Sequence, residues 1–434
     1  MLRKAFQLGL LHLSVAMTLV PINSTLNRVM VKELGISATL VAVMASLPYL
    51  VSPIQVVIGS FSDRYPVFGF HRTPYILAGI MLCVVGVILS PQIAFTLAND
   101  FWKGLGVGIL AFGAWGMGYN LAAVSYLSLA SELSGKKERG RTIAIMWVMM
   151  IIGIILTALV LSRLVDPYSK AALQRAFFII GIAAMVLGAA GLIRLESRSS
   201  KRVSFEQERY TLAEMMETIL KSAQVKTFFG YLFILLTALL GQDILLEPYA
   251  AEAFDLSVRQ TTQITSIWGT FVMLALLLTG WLETKIAKKK LAGWGGGFAL
   301  AGFVLIAISG VLLNMWLFYL GIFLLGTGTG VSTVSNLSLM LDMTIESKVG
   351  LFIGAWGMAN AYSRLVGSVL GGVGRDVVSH FSGNPILGYV VVFSVMAGFM
   401  VVSLVMLRRI NVQEFQRDVG YTQALERVAL SSDL

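Results

Sequence analysis

Long apolar stretches recur along the whole chain, and they restrict its fold more than any other feature. About 20 apolar residues cross roughly 30 Å of hydrocarbon, and stretches of this length follow one another through the 434 residues. Hydrocarbon offers no partner to backbone N–H and C=O groups, so spans this long must be helices rather than the shorter, alternating strands of a barrel. The sequence therefore predicts an all-α integral membrane protein.

We predict twelve membrane spans. The composition agrees, because 57% of the residues are hydrophobic and 13% are charged, which excludes a soluble protein of this size. The predicted spans are 5–29, 36–60, 73–96, 104–131, 142–163, 175–193, 226–247, 260–282, 293–312, 315–341, 350–372 and 386–407.

Basic residues indicate the orientation of the spans. The N-terminus, the even-numbered loops and the C-terminal tail carry most of the 33 Lys and Arg residues. Positive charge is enriched in cytoplasmic loops, which predicts that both termini are cytoplasmic. The net charge of +10 then reflects a basic surface beside anionic lipid and requires no nucleic-acid partner.

A polar segment divides the spans into two sets of six. It begins with "RLESRSSKR" and continues with "TLAEMMETILKS", in which Thr211 and Glu214 have capping-box spacing. Apolar residues at helical intervals follow, and they predict a short amphipathic helix on the membrane surface. The predicted organisation is a first half at 1–193, a linker at 194–225, a second half at 226–407 and a cytoplasmic tail at 408–434.

An internal repeat supports this division. "GMGYNLAAVSYLSLASEL", which begins at Gly116, aligns without gaps with "GTGTGVSTVSNLSLMLDM", which begins at Gly326. The alignment places Glu132 and Asp342 at equivalent ends of the fourth and tenth spans. Two parallel six-span halves are typical of the major facilitator fold.

The loop "GSFSDRYPVFGFHRTP" at 59–74 resembles the major facilitator signature between spans two and three. Gly59 would allow close helix packing, and Asp63 would accept hydrogen bonds from a neighbouring helix end or a basic side chain. Arg64 and Arg72 would hold the cytoplasmic side. These four residues are predicted to form a conformational latch, with a solvated topology signal as the alternative for the two arginines.

Ionisable residues are scarce inside the predicted spans, and Asp243, Glu247 and Arg364 are the exceptions in the second half. Such groups are costly in a membrane and persist where they bind or relay charge. Asp243 and Glu247 are four residues apart and would share one helix face, and Pro248 is expected to end that helix. Arg364 is expected to pair with one of these carboxylates, either as a structural salt bridge or in a binding site.

Several polar side chains fall within the spans, and each allows two interpretations. One is a hydrogen bond between helices. The other is axial ligation of a magnesium tetrapyrrole, whose macrocycle supplies the other four donors. His12 is the candidate donor to magnesium, and no side-chain set is expected to bind a metal directly. The pigment-binding candidates are His12, Asn120, Gln242, Glu247, Asn336 and Asn360.

Catalytic motifs are absent from the sequence. It contains no nucleophile–base arrangement, no zinc-ligand spacing and no nucleotide-binding fingerprint. The glycine-rich stretches lie within membrane spans, where they predict close helix packing. We therefore predict a protein that is not an enzyme.

The segment "GQDILLEPYAAEAF" at 241–254, followed by "TSIWG" at 265–269, resembles the PucC/LhaA family of light-harvesting assembly proteins. The resemblance covers the chain from the first span to the twelfth. In the loop between spans two and three it includes Ser62, Asp63, Phe68, Gly69, Arg72, Pro74 and Tyr75. In and after span seven it includes Gln242, Asp243, Leu246, Glu247, Pro248, Tyr249, Trp268 and Gly269, and Arg364 is the associated buried charge.

The resemblance implies a protein of a phototrophic bacterium, in its thylakoid or cytoplasmic membrane. It implies binding of chlorophyll or bacteriochlorophyll, with carotenoid as a further candidate ligand, and help in inserting pigment into light-harvesting or photosystem apoproteins. The short loop "SDRYPVFGFHR" favours a cyanobacterial-type member. A secondary transporter of an apolar or amphipathic small molecule is the competing hypothesis, because the internal symmetry suits alternating access.

Overall fold

The computed structural model describes residues 2–54, 58, 61–62, 65–198, 222–344 and 349–415. Two π-helical segments, Pro21–Leu26 and Val29–Glu33, extend the first helix, and a 3-10 segment, Gln242–Ile244, follows the sixth. The α-helices are α1 Leu2–Val20, α2 Ala38–Leu50, α3 Thr73–Asn99, α4 Phe101–Leu164, α5 Lys170–Leu192, α6 Ala223–Gly241, α7 Leu246–Phe254, α8 Val258–Leu282, α9 Lys288–Leu312, α10 Met315–Asp342, α11 Val349–Ser382 and α12 Pro385–Arg409.

These helices confirm the predicted all-α membrane architecture. Ten segments of the described chain are long and apolar enough to cross a membrane, and α4 contains two of them, Phe101–Ser134 and Gly140–Leu164. The other two predicted spans coincide with α2, an apolar helix of 13 residues, and with α11, which carries Arg364, Arg375 and Asp376.

Hydrogen bonds between helix ends define two faces of the molecule. Gln7 of α1 donates to the carbonyl of Ile193 after α5 at 2.8 Å, and Gln224 of α6 donates to Glu414 after α12 at 3.0 Å. We call this side the terminal face. The opposite side, the distal face, carries the connections at 34–37, 255–257 and 383–384.

Each half packs mainly within itself, and the halves meet along two helix pairs. In the first half α1 contacts α4 and α5, and in the second half α6 contacts α11 and α12. Between the halves, α2 contacts α11 and α4 contacts α8. This pairing is the major facilitator arrangement that the repeat predicted.

Glycines bring helix backbones together at equivalent places in the two halves. A Cβ atom added to Gly118 of α4 would lie 2.7 Å from the Gly79 carbonyl oxygen of α3. A Cβ atom at Gly328 of α10, which aligns with Gly118 in the repeat, would lie 2.7 Å from the Gly295 carbonyl oxygen of α9. Such approaches leave no space for a side chain, so the repeat preserves packing as well as sequence.

A backbone contact of the same kind joins the two halves at the distal face. A Cβ atom added to Gly372 of α11 would lie 2.7 Å from the carbonyl oxygen of Ala38, the first residue of α2. Hydrogen bonds reinforce this contact. Asp376, one turn further along α11, accepts from the Ala38 and Thr39 amides at 3.2 and 2.7 Å. The distal face is therefore closed in this structure.

Two ion pairs at the terminal face involve Glu132 and Asp342, the carboxylates that align in the repeat. Arg72, just before α3, reaches Glu132 of α4 with an N–O distance of 2.7 Å. Lys288, the first residue of α9, reaches Asp342 at the end of α10 at 2.6 Å. The side chain of Arg72 is 6% exposed, whereas that of Lys288 is 32% exposed. The two carboxylates align, but the two pairs differ in burial.

This difference predicts unequal effects of removing the two cations. Arg72→Ala leaves the half-buried Glu132 without its guanidinium, and we expect a loss of about 2–3 kcal/mol in unfolding free energy. Lys288→Ala breaks an exposed pair and should cost about 1 kcal/mol or less. Thermal unfolding of both purified variants in detergent measures the difference, and equal losses would contradict the assignment of Arg72 as the more buried partner.

Several helix boundaries differ from the sequence predictions, and two of them lie beside the predicted site residues of the second half. Pro248 was expected to end its helix, but the break comes earlier, at Gln242–Ile244, and α7 continues past the proline to Phe254. Pro248 lies in the first turn of α7, where the N–H that proline lacks has no intrahelical acceptor. Helix α11 extends to Ser382, ten residues beyond the predicted end at 372.

Candidate functional site

A charge pair lies where the two halves meet. Arg364 of α11 and Asp243 of the 3-10 segment are separated by an N–O distance of 2.9 Å. The Arg364 guanidinium also lies 5.4 Å from the ring centre of Tyr49, which belongs to α2 in the other half. Side-chain exposures of 26% for Arg364 and 18% for Asp243 show that the pair faces open space. The pairing expected for Arg364 is thus made with Asp243, at the interface between the halves.

The break before α7 separates the two carboxylates. Because the 3-10 segment interrupts the helix, Asp243 and Glu247 lie in different elements and do not share one helix face, contrary to the sequence prediction. Gln242 donates to Asp243 at 2.7 Å. Glu247 lies one turn further on and contacts a different set of residues.

Glu247 joins α7 to both α8 and the π-helical extension of α1. Its Oε1 atom accepts hydrogen bonds from Ser24 and, at 2.6 Å, from Thr265. Beside them the hydroxyls of Thr25 and Thr262 are 2.9 Å apart. Ser24 and Thr25 belong to the first half, and the other three residues belong to the second half. This hydroxyl and carboxylate cluster therefore connects the halves towards the distal face.

His12 lies in an aromatic environment within the first half. Its ring centre is 5.1 Å from that of Tyr126 and 5.9 Å from that of Trp147, which stands nearly perpendicular to it. Its Nδ1 atom is buried, and no described residue forms a hydrogen bond with it. Trp147 is 43% exposed, so this cluster reaches the surface of the protein.

The three predicted asparagine candidates all form hydrogen bonds within the protein. Asn120 of α4 donates to the carbonyl of Pro48 in α2 at 2.9 Å, which is a bond between helices. Asn336 of α10 accepts from the Tyr231 hydroxyl of α6 at 2.7 Å. Asn360 donates to the carbonyl of Trp356, one turn earlier in α11, at 2.9 Å.

Two aromatic residues of the motif in and after span seven, Tyr249 and Trp268, pack against neighbouring helices in this structure. The hydroxyl of Tyr249, a fully buried side chain, donates to the carbonyl of Ile306 in α9 at 2.7 Å. Trp268 of α8 packs against α10, because a Cβ atom added to Gly326 would lie 2.9 Å from the Trp268 carbonyl oxygen. These contacts fix α7 and α8 against the second half.

Of the predicted latch residues, Gly59, Asp63 and Arg64 lie outside the described residues, as do most of the predicted surface helix and the tail from 416. Arg72 is described, and besides Glu132 it donates to Ser62 near the end of the second span. Glu196, just after α5, accepts from the backbone amides of His71 and Thr73, each at 2.7 Å. A carboxylate thus caps the start of α3, where the helix dipole favours negative charge.

The sequence interpretation missed a partly buried charge network at the distal face. Arg375 lies 2.7 Å from Glu252 of α7 and 2.9 Å from the neighbouring Asp376. Tyr389 of α12 donates to Glu252 at 3.1 Å, and Asp376 accepts from the Thr39 hydroxyl of α2 at 2.7 Å. The network joins α7, α11 and α12 to the first half. Apolar residues after Asp376 could have indicated that α11 continues beyond this residue.

Comparisons with known proteins agree along nearly the whole chain. A family model described as PUCC protein matches residues 25–415. The chain is 29% identical over 422 residues to Protein PucC of Cereibacter sphaeroides, which covers 94% of this chain and 91% of that protein. It is 28% identical over 431 residues to a Rhodobacter capsulatus protein named "Uncharacterized protein in puhA-bchM intergenic region", with coverage of 94% and 88%. It is 27% identical over 386 residues to "Bacteriochlorophyll synthase 44.5 kDa chain" of the same species, with coverage of 87% and 88%.

Solved structures share the fold at low sequence identity. The nucleoside transporter NupG superposes with a TM-score of 0.70 at 14% identity, covering 94% of this chain and 98% of that chain. A bacterial homologue of the human lysosomal transporter Spinster, in an inward-facing conformation, gives a TM-score of 0.72 at 11% identity, covering 96% and 98%. These similarities establish the major facilitator fold of a multi-pass membrane protein.

Proposed function

Because the chain belongs to the PUCC protein family, we propose that it is a chlorophyll-binding membrane protein that helps to deliver or insert chlorophyll into light-harvesting or photosystem apoproteins. A relative named "Bacteriochlorophyll synthase 44.5 kDa chain" supports a link to bacteriochlorophyll. The proposed location is the thylakoid or cytoplasmic membrane of a phototrophic bacterium, with both termini in the cytoplasm. Bacteriochlorophyll and carotenoid are further candidate ligands.

The observation that carries this proposal is the state of His12. An imidazole nitrogen buried without a hydrogen bond costs about 1–3 kcal/mol, and the Nδ1 atom of His12 has no partner among the described residues. The other five pigment-binding candidates all hydrogen-bond to protein groups. Gln242, Glu247 and Asn336 each also have one buried polar atom without a partner, but each of these side chains is held by another hydrogen bond. His12 is the candidate whose side chain forms no hydrogen bond among the described residues.

Aromatic side chains lie beside His12. Neutral imidazole is a common metal donor, and the magnesium of a chlorophyll needs an axial ligand in addition to the four macrocycle nitrogens. Tyr126 and Trp147 offer aromatic surfaces beside the imidazole. In this proposal His12 anchors the metal, the two aromatic residues orient the macrocycle and exclude water, and the pigment supplies a visible absorption band.

Replacing His12 by phenylalanine tests the proposal. We expect the chlorophyll-to-protein ratio of the purified protein to fall several-fold, because phenylalanine keeps a ring at this position but removes both nitrogen donors. Expression and thermal stability should change little, since no described residue forms a hydrogen bond with the imidazole that would be lost. The ratio is measured from the absorption spectrum of protein purified from a phototrophic host.

His380→Phe is the matched control, because this histidine is exposed near the distal end of α11. It should leave the pigment ratio unchanged. A wild-type protein that is colourless and monodisperse would contradict chlorophyll binding. A normal pigment ratio in folded His12→Phe protein would refute His12 as the ligand and direct attention to Gln242 and Glu247.

A second candidate function is secondary transport of an apolar or amphipathic small molecule. The observation in its favour is the Arg364–Asp243 pair, which lies between the halves and is partly exposed. In major facilitator carriers the substrate site lies at this interface, near the middle of the membrane. Reconstitution into vesicles distinguishes the two functions, because a carrier moves its substrate across the bilayer whereas an assembly factor retains pigment without translocating it.

A further inference from the structure

Glu247 is a buried carboxyl group without a cationic partner among the described residues. Its side chain is 2% exposed. The other carboxylates at the interface between the halves are paired differently: Asp243 has Arg364, and Glu252 and Asp376 share Arg375. An isolated carboxylate is costly in such surroundings unless its charge is neutralised. Something outside the described protein groups must supply the positive charge.

The groups that contact the Glu247 carboxylate are neutral hydroxyls, not cationic side chains. Ser24 and Thr265 donate to its Oε1 atom, and these two hydroxyls are 3.3 Å from each other. The Oε2 atom is buried and has no hydrogen-bond partner. One carboxylate and several neutral hydroxyls carry a single negative charge in total, which a single monovalent cation balances.

Charged and titratable groups on the neighbouring elements are already engaged. Arg28, which lies between the two π-helical segments that follow α1, is the cationic group that attracts the Glu247 carboxylate. Its guanidinium is bound to Glu33 and, at 3.1 Å, to the carbonyl of Leu256. Other groups on these elements also have partners: Asp243 pairs with Arg364, Arg259 of α8 with Asp166, and Glu252 with Arg375 and Tyr389. Arg375 also pairs with Asp376, and the Tyr249 hydroxyl donates to the carbonyl of Ile306.

We propose that Glu247, Ser24 and Thr265 form a binding site for one monovalent cation, either a proton or a sodium ion, with Thr25 and Thr262 beside it. Carboxylate and hydroxyl oxygens are hard ligands suited to such ions. The ligands come from both halves, so an occupied site holds the distal face closed. An empty site leaves an uncompensated carboxylate in the interface and favours separation of the halves. This site is separate from His12, the proposed pigment ligand.

Thermal unfolding of the full-length protein in detergent tests whether the site binds sodium. Unfolding temperatures are compared in sodium chloride and in choline chloride at the same ionic strength and pH. A bound ion stabilises the folded protein by mass action, so a sodium site raises the unfolding temperature of the wild type in sodium. Glu247→Gln, a neutral isostere, should show no difference between the two salts. Thr265→Val, which keeps the carboxylate and removes one ligand, should show a reduced difference.

Infrared difference spectroscopy tests whether the site binds a proton. A protonated Glu247 gives a carboxylic acid C=O band that disappears in Glu247→Gln and remains in the control Asp166→Asn, whose carboxylate is paired with the exposed Arg259. The stability difference between wild type and Glu247→Gln should then change with pH and not with sodium. A response to either cation supports the site. A wild type that responds to neither cation, or a Glu247→Gln variant that responds as the wild type does, overturns it.

Discussion

Replacing Arg375 by alanine is expected to lower the unfolding free energy by about 3–5 kcal/mol, the loss typical of breaking a buried ion pair from one side. The guanidinium is 13% exposed and neutralises both Glu252 and Asp376. Without it, two carboxylates remain close together at the distal face with no cation between them. The repulsion adds to the desolvation cost, because neither group gains full access to water.

Arg259→Ala is the matched control for this prediction. Arg259 also forms an ion pair between the halves, with Asp166 at 2.8 Å, but both side chains are more than 40% exposed. Water therefore solvates the remaining partner, and the expected loss is about 1 kcal/mol or less. Thermal and denaturant unfolding in detergent report both values. If Arg375→Ala unfolds as the control does, the network contributes little to the closed distal face.

The second large effect is expected at Gly367, where α11 touches α6. A Cβ atom at Gly367 would collide with the carbonyl oxygen of Thr237, and one at Gly241 would lie 2.6 Å from the Gly367 backbone carbon. Backbone atoms cannot rotate away as a side chain does, so Gly367→Ala must separate two helices. We expect a loss of about 3 kcal/mol or more, measured as a lower unfolding temperature and a lower yield of monodisperse protein.

Gly357→Ala provides the control on the same helix. Gly357 is exposed, and an added Cβ atom would meet no atom within 4 Å. Alanine has a higher helix propensity than glycine, so this change should be neutral or stabilise by about 0.5–1 kcal/mol. Tolerance of alanine at Gly367 as well would mean that α6 and α11 do not approach as closely as described.

The sequence predicts the features that depend on the length of its apolar stretches and on its internal repeat. Spans of about 20 apolar residues specify membrane helices, and the internal repeat places Gly118 and Gly328, and Glu132 and Asp342, at matching positions. The structure gives each pair matching contacts. An aligned residue in a parallel repeat faces the same neighbours, so its role follows from the alignment without any knowledge of three-dimensional detail.

Features that depend on a partner distant in sequence were harder to predict. Arg364 had two candidate partners, Asp243 and Glu247, one helical turn apart. The 3-10 segment Gln242–Ile244 separates them and leaves Asp243 as the partner. Arg375 was assigned to a loop because charged residues usually lie outside membrane spans; its acceptor Glu252 lies on another helix, more than a hundred positions away in the chain. Glu196 belongs to a segment whose composition predicts a polar linker. It caps the start of α3, which is more than a hundred residues earlier in the chain.

If the two halves rotate against each other, the backbone contact between Gly372 and Ala38 is the point about which they would turn. Backbone atoms in contact resist sliding, whereas the polar side chains around them can exchange partners with water. A rotation of one half about this point would move the terminal face most, since it lies at the far end of the lever. Over a hydrocarbon thickness of about 30 Å, a tilt of about 10° displaces that end by about 5 Å, comparable to one turn of an α-helix.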